Sequence, residues 1–185
     1  MDSNFPGNYK TYPDQDPSSV KSHIGYVTLY QDCPVLWVSK MQTQNALSTM
    51  ESEYIAISQS MCDLILLREI LKEIMELVFN KPTSKLKYSL NSKSFNDIIY
   101  DESESPLPKS KVYEDNVACL KFTRLPKITP RTKHIAIPYH WFRSKVEQLE
   151  ISIEPISSEH QLADQFTKSL SIDKFLSARK RLMDW

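Results

Sequence analysis

The longest helical pattern in the chain opens with the stretch Ala46-Leu47-Ser48-Thr49-Met50-Glu51-Ser52-Glu53-Tyr54-Ile55-Ala56. Ser48 and Glu51 have the spacing of a capping box, in which the serine side chain accepts a free N–H of the first turn and the glutamate reaches back to the Ser48 N–H. Glu53 falls within the first two turns. A carboxylate there is either a solvated acid favoured by the helix dipole or part of a site at the helix entrance.

Apolar residues continue this pattern at helical spacing, which predicts a long helix with one face against a core. They are Ile57, Met61, Leu64, Leu67, Leu71, Ile74 and Val78. Before the helix, two apolar runs joined by a short polar turn predict an antiparallel hairpin, His23–Tyr30 and Val35–Lys40. After it we expect an irregular insertion at 80–111, a strand at 111–116, helices at 117–124 and 138–148, a strand at 151–156, and helices at 158–169 and 172–183. This order is typical of an α/β protein with a mixed sheet flanked by helices.

The composition is that of a globular protein, with 185 residues, 41% hydrophobic and 25% charged. The formal net charge is zero, so a polyanionic partner would have to be held by a local basic patch. No apolar run reaches the length of about 18 residues that a membrane span needs, and the first residues lack a secretory signal. We therefore expect an intracellular protein, cytoplasmic or nuclear. Cys33, Cys62 and Cys119 lack metal-ligand spacing and are predicted to be buried, reduced thiols.

Four acids lie where such a sheet would bring strand ends and helix starts together, namely Asp2, Glu53, Asp115 and Asp164. Carboxylates that converge repel one another, and divalent cations relieve this repulsion. Oxygen ligands suit Mg²⁺ or Mn²⁺, and two such ions are a known device for cleaving phosphodiesters. For any one of these acids the alternative is an unrelated surface charge. Between Glu114 and Asp115, strand alternation supports Asp115, since neighbours on a strand point to opposite faces.

Several motifs, in order, resemble the ribonuclease H domain of copia-type LTR retrotransposon Pol polyproteins. They are Lys21-Ser22-His23-Ile24-Gly25-Tyr26-Val27, Leu36-Trp37-Val38-Ser39-Lys40-Met41-Gln42, the helix opening Ala46–Ala56, Tyr113-Glu114-Asp115-Asn116, Arg131-Thr132-Lys133-His134-Ile135 with Tyr139-His140, and Gln161-Leu162-Ala163-Asp164-Gln165-Phe166-Thr167-Lys168. The resemblance implies one ribonuclease H-like domain over 1–185, with a mixed five-stranded sheet flanked by helices. Only Met1 precedes Asp2, so we expect the first strand to be truncated and to be followed by a loop to residue 20.

The resemblance also implies the activity: metal-dependent hydrolysis of the RNA strand in an RNA–DNA hybrid during reverse transcription. By motif, the catalytic and metal-binding residues are Asp2, Glu53, Asp115 and Asp164, which hold two Mg²⁺ or Mn²⁺ ions. His160 lies near Asp164 in the sequence and is a candidate proton shuttle. The implied partners are the hybrid and the reverse transcriptase domain of the parent polyprotein, with no membrane and no small-molecule cofactor.

A basic segment favours a nucleic-acid partner, because no acid occurs between Asp115 and Glu147. Its candidate contacts to nucleic acid are Lys121, Arg124, Lys127, Arg131, Lys133 and His134. A hybrid duplex is bound through backbone charge and 2′-hydroxyls, for which such a segment is suited. The alternative for the segment is a solvated basic face. The alternative for the chain is a non-catalytic retrotransposon-derived remnant that keeps the fold and at most binds nucleic acid.

Overall fold

Five strands and four α-helices form in the part of the chain that the computed structural model describes, which is residues 1–5, 21–79, 109–125, 140–147 and 151–184. The strands are β1 (Asp2–Asn4), β2 (His23–Tyr30), β3 (Cys33–Met41), β4 (Ser110–Glu114) and β5 (Ile151–Pro155). The α-helices are α1 (Thr49–Phe79), α2 (Val117–Thr123), α3 (Arg143–Glu147) and α4 (Ile172–Met183), and a 3₁₀ helix spans Leu162–Phe166.

The predicted hairpin is confirmed, since β2 pairs antiparallel with β3, and β1 pairs antiparallel with the other edge of β2. The connecting turn is shorter than the sequence indicated. Gln31 and Asp32 both have left-handed backbone angles, φ 50° and 62°, as a two-residue hairpin turn with the twist of its strands requires. The second strand therefore begins at Cys33 rather than at Val35.

The remaining two strands, β4 and β5, form a parallel pair. The chain is mixed α/β, as predicted. Among the described residues, however, the five strands pair as three and two, not as one five-stranded sheet. One backbone hydrogen bond joins the two groups, from the Met1 amino group to the Tyr113 carbonyl of β4 at 3.1 Å. The start of β1 therefore lies beside β4, and both lead towards acidic residues.

Helix α1 begins with the predicted serine cap, in which Ser48 Oγ accepts the Glu51 N–H at 3.2 Å. The return contact differs from a strict capping box, because Glu51 Oε2 accepts the Leu47 N–H at 2.9 Å instead of the Ser48 N–H. Every residue from 51 to 58 is buried, so the helix is enclosed on all sides over this stretch. The apolar-stripe prediction is wrong further along: Ile74 and Val78 are 49% and 65% exposed.

Contacts between Cα atoms divide the chain into two units, one formed by Met1–Met61 with Lys111–Trp185 and the other by Cys62–Ser110. Large buried side chains form the core of the first unit, among them Ile24, Tyr26, Tyr54, Ile57, Phe142 and Ile151. Residues 6–20 and 80–108, which carry the predicted loop and nearly all of the predicted insertion, lie outside the described residues. The single-domain boundary at 1–185 stays a prediction.

Three other expectations need correction. The helix predicted at 158–169 is a turn followed by the short 3₁₀ helix, which Gln161 caps by accepting the Ala163 N–H. The described part of the helix predicted at 138–148 is the five-residue α3. Cys33 and Cys62 are exposed and only Cys119 is buried, because Cys33 follows the hairpin turn and Cys62 lies on an outer face of α1.

Candidate metal centre

Five carboxylates converge at one place in the first unit. Oxygen atoms of Asp2, Asp115 and Asp164 lie within 4.8 Å of one another, and so do oxygen atoms of Glu53, Glu114 and Asp115. We call these sets the Asp2 group and the Glu53 group. The structure thus brings together the four acids expected from the sequence and adds Glu114. Asp115 is common to both groups.

Strand β1 places Asp2 through its register with β2, in which Asp2 lies opposite Gly25. The 3₁₀ helix that carries Asp164 packs directly on this glycine. A Cβ atom at Gly25 would lie 2.7 Å from Phe166 Cβ and 2.9 Å from the Ala163 carbonyl oxygen. Both distances are shorter than van der Waals contact allows, so only glycine lets this helix approach the strand.

The Asp2 group is surrounded by donors. The Thr167 hydroxyl donates a hydrogen bond to Asp2 Oδ2, and Lys174 Nζ forms a close ion pair with Asp164 Oδ2. Lys168 Nζ lies 2.9 Å from Asp164 Oδ1 and 3.7 Å from Asp2 Oδ2. Burial raises the pKa of Asp2, and the Thr167 hydrogen bond and the Lys168 charge oppose that rise. Two ammonium groups therefore balance part of the negative charge of this group.

The Glu53 group is less well satisfied. Glu53 and Glu114 are 3% and 0% exposed, and the Oε2 atom of each has no hydrogen-bond partner among the described residues. Burial, followed by the charges of Glu114 and Asp2, raises the pKa of Glu53 to about 10. Burial also raises the pKa of Glu114 to about 7, against a hydrogen bond from the Asn116 N–H. In the absence of a cation, the folded protein therefore retains protons on this pair.

These residues fit divalent cations. Buried carboxylate oxygens without partners need a compensating charge, and a set made only of carboxylates suits hard ions such as Mg²⁺ or Mn²⁺. Burial, and after it the charges of Glu114 and Glu53, raise the pKa of the Cys119 thiol well above its ordinary value. A protonated thiol is a poor ligand, which disfavours softer metals.

Asp115 is placed by a loop and not by the strand. Strand β4 ends at Glu114, and Ser158 Oγ donates to Asp115 Oδ2 at 2.7 Å. Our argument from strand alternation is therefore wrong, since both acids reach the cluster. In β4 the buried positions are Val112 and Glu114, so alternation applied from Val112 would have identified Glu114 as an inward-facing acid.

The buried residue next to Glu53 ties the basic segment to α1. Tyr54 Oη accepts a hydrogen bond from Arg143 Nε at 3.0 Å and forms a second hydrogen bond with His140 Nδ1 at 2.9 Å. Arg143 also donates to the Phe122 carbonyl at 2.6 Å. Burial raises the pKa of Tyr54 to about 12, which keeps the hydroxyl protonated. The region 140–143 is therefore fixed against the start of the helix.

The other predicted residues have mixed outcomes. Lys121 and Arg124 are exposed on and just after α2, whereas Lys127, Arg131, Lys133 and His134 lie outside the described residues. His160 is exposed, and in the described part of the chain no hydrogen bond joins its ring to a carboxylate. Its role as a proton shuttle and the nucleic-acid contacts stay predictions.

None of the helices in the described ranges combines the length and the apolar character required to cross a membrane. No family model matches the chain, and no solved structure gives a significant match.

The curated proteins that are similar to this chain over most of its length include three Pol polyproteins of plant transposons. The Retrovirus-related Pol polyprotein from transposon TNT 1-94 of Nicotiana tabacum is 30% identical over 172 residues, which is 90% of this chain and 11% of that protein. The Retrovirus-related Pol polyproteins from transposons RE2 and RE1 of Arabidopsis thaliana are 25% and 26% identical over 90% and 86% of the chain. The chain spans about a tenth of the length of these relatives. It is therefore homologous, over most of its length, to a segment of retrovirus-related Pol polyproteins from plant transposons.

Proposed function

We propose that this chain is a ribonuclease H: a metal-dependent endoribonuclease that hydrolyses the RNA strand of RNA–DNA hybrids during retrotransposon reverse transcription. The observation that carries the proposal is the convergence of Asp2, Glu53, Asp115 and Asp164 in two groups that share Asp115. Two divalent cations are a known device for hydrolysing a phosphodiester, and this cluster offers buried carboxylates that such cations would compensate. The homology to Pol polyproteins supports the same conclusion, because reverse transcription produces RNA–DNA hybrids.

Asp2, Glu53, Asp115 and Asp164 would together hold two Mg²⁺ or Mn²⁺ ions. Bound ions of this kind lower the pKa of an attacking water and stabilise the charge that develops on the phosphate and on the leaving oxygen. The protein's part is positioning. Thr167 orients Asp2, Ser158 orients Asp115, and Lys168 holds Asp164 while adding positive charge at the edge of the cluster.

The substrate proposal rests on charge. Lys121 and Arg124 lie exposed in the first unit, which also contains the carboxylate cluster. The Tyr54 hydrogen bonds fix the region 140–143 beside Glu53, so the basic segment is attached to the helix that carries a candidate ligand. A polyanionic duplex bound along this segment would be held through its phosphates, and not through base edges. The reverse transcriptase domain of the parent polyprotein is the proposed partner that delivers the hybrid.

The test is cleavage of an end-labelled RNA–DNA hybrid by the purified chain in Mg²⁺ or Mn²⁺, with double-stranded DNA and single-stranded RNA as substrates that should stay intact. Asp115→Asn should abolish cleavage, because it removes a charge from both groups. Asp173→Asn, an exposed acid in the first turn of α4, is the matched control and should cleave normally. A folded chain that binds Mn²⁺ but leaves the hybrid intact would refute the proposal and favour a binding-only remnant.

A further inference from the structure

Glu114 is the acid in the cluster whose burial its contacts explain least. It is fully buried, and its Oε1 accepts the Asn116 N–H at 2.8 Å, while its Oε2 has no hydrogen-bond partner among the described residues. Glu53 Oε2 is equally buried and equally without a partner. Two such oxygens in one group are costly, because a buried carboxylate without compensation loses its hydration and gains nothing in return.

We propose that Glu114 is a cation ligand, and that Glu53, Glu114 and Asp115 together bind one divalent ion. This inference rests on the proposed function only for the type of ion, and it does not depend on the cleavage reaction. It adds a fifth carboxylate to the four that the sequence resemblance implies. The ligand would be Mg²⁺ or Mn²⁺, since the three side chains offer only carboxylate oxygens.

Protons neutralise these carboxyl groups in the metal-free protein, but a protonated carboxyl group in turn needs an acceptor for its hydrogen bond. A divalent ion compensates more than one carboxylate at once, because it accepts electron pairs from several oxygens.

The lysines do not satisfy the Glu53 group. Lys168 and Lys174 form their ion pairs with Asp164 and Asp2, which belong to the other group. Within the described residues no lysine or arginine forms an ion pair with Glu53 or Glu114. The Met1 amino group opposes the rise in the Glu114 pKa, but it donates its hydrogen bond to the Tyr113 carbonyl. When Glu53 and Glu114 lose their protons, no ion pair among the described residues therefore balances their negative charge.

A purely structural role for Glu114 is the competing explanation. Its Oε1 bond to Asn116 stabilises the residue that caps α2, since Asn116 Oδ1 accepts the Cys119 N–H at 3.0 Å. That role requires one acceptor oxygen and no negative charge. A glutamine of the same shape supplies the acceptor, so Glu114→Gln separates the two roles.

The experiment measures Mn²⁺ binding to the full chain by isothermal titration and by electron paramagnetic resonance. We expect two ions in the wild type, and in Glu114→Gln at least tenfold weaker binding of one ion with little change in the other. The metal-free variant should be as stable as the wild type or more so, because a buried charge is removed. Glu154→Gln, a partly exposed acid on β5, is the matched control and should bind both ions normally.

Wild-type affinity for both ions in a folded Glu114→Gln would overturn the inference. If that variant does not fold, Glu114→Asp keeps the charge but withdraws it by one methylene, and it should also weaken one ion; unchanged affinity there would overturn the inference equally. Its failure is distinguishable from failure of the proposed function. If the wild type cleaves the hybrid but Glu114→Gln binds both ions normally, only the Glu114 site is refuted. If Glu114→Gln binds one ion more weakly but the wild type does not cleave the hybrid, only the nuclease proposal is refuted.

Discussion

Gly25→Ala tests whether the close packing of the 3₁₀ helix on β2 holds the Asp2 group in place. The added methyl group would lie 2.7 Å from Phe166 Cβ, 2.8 Å from Thr167 Cγ2 and 2.9 Å from the Ala163 carbonyl oxygen. The first and last of these atoms belong to the backbone or are fixed to it, so they cannot rotate away. The helix as a whole must withdraw, and Asp164 moves with it.

The size of this movement follows from the distances. An ordinary contact begins at 3.4 Å, so the nearest contact at 2.7 Å requires a retreat of about 0.7 Å. Overpacking of this kind costs about 1–3 kcal/mol. Ligand sets tolerate displacements of about 0.5 Å, so we expect the ion in the Asp2 group to bind at least about tenfold more weakly, or about 1.4 kcal/mol. The melting temperature should fall by roughly 2–4 °C for each kcal/mol lost.

The assay combines thermal unfolding without metal with Mn²⁺ titration of the folded variant. Ser39→Ala is the comparison, because it removes the hydrogen bond from Ser39 Oγ to the Phe166 carbonyl (2.6 Å) without adding bulk. It should lose about 1 kcal/mol of stability and keep its Mn²⁺ affinity. If Gly25→Ala kept both the wild-type melting temperature and the wild-type affinity, the packing argument would be refuted.

Three further outcomes are expected. In the metal-free folded state Glu53 and Glu114 keep protons that the unfolded chain releases above the ordinary glutamate pKa of 4.5. Urea titrations should therefore show the free energy of unfolding falling between about pH 5 and pH 7, by about 1.4 kcal/mol per pH unit for each retained proton. A free energy of unfolding that rises with pH would contradict this. Lys174→Met should lower the melting temperature of the metal-free protein, because Asp164 loses an ammonium partner. Added Mg²⁺ should restore the melting temperature, since the cation replaces that ammonium group. A lowered melting temperature that Mg²⁺ leaves unchanged would argue against this. Arg143→Met removes one hydrogen bond to the Phe122 carbonyl and one to the buried Tyr54 hydroxyl, and it should cost about 1–3 kcal/mol by calorimetry. An unchanged transition would show that these bonds are dispensable.

Local patterns in the sequence predicted the elements whose signals are themselves local. Alternation and a short turn identified the β2–β3 hairpin, and the Ser48 cap identified the start of α1. The same reasoning failed where tertiary contacts decide. The apolar spacing of α1 predicted a continuous buried stripe. Of the α1 residues after Met61 whose burial the structure describes, however, Arg68 and Met75 are the buried ones. Helical spacing identifies the apolar face of a helix. The length over which that face is buried depends on which other elements pack against it.

The motifs predicted which acids belong to the candidate site, but they predicted its geometry only in part. The four acids chosen from the sequence do converge, whereas their roles as ligands stay a proposal. Glu114 was missed because we treated Asp115 as part of the strand, although the strand ends one residue earlier. Lys174 was missed because an ion pair between α4 and the 3₁₀ helix leaves no signature in either segment alone.

Formation of the candidate metal centre also has an entropic cost in folding, because its contacts join residues far apart in the chain. The Thr167 hydroxyl and Asp2 are 165 residues apart, and the Gln161 side chain donates to the Met1 carbonyl across 160 residues. Closing loops of this size is entropically expensive, and such contacts slow folding. The cluster should then form after the transition state for folding. A divalent ion bound there would slow unfolding and leave the rate of folding almost unchanged.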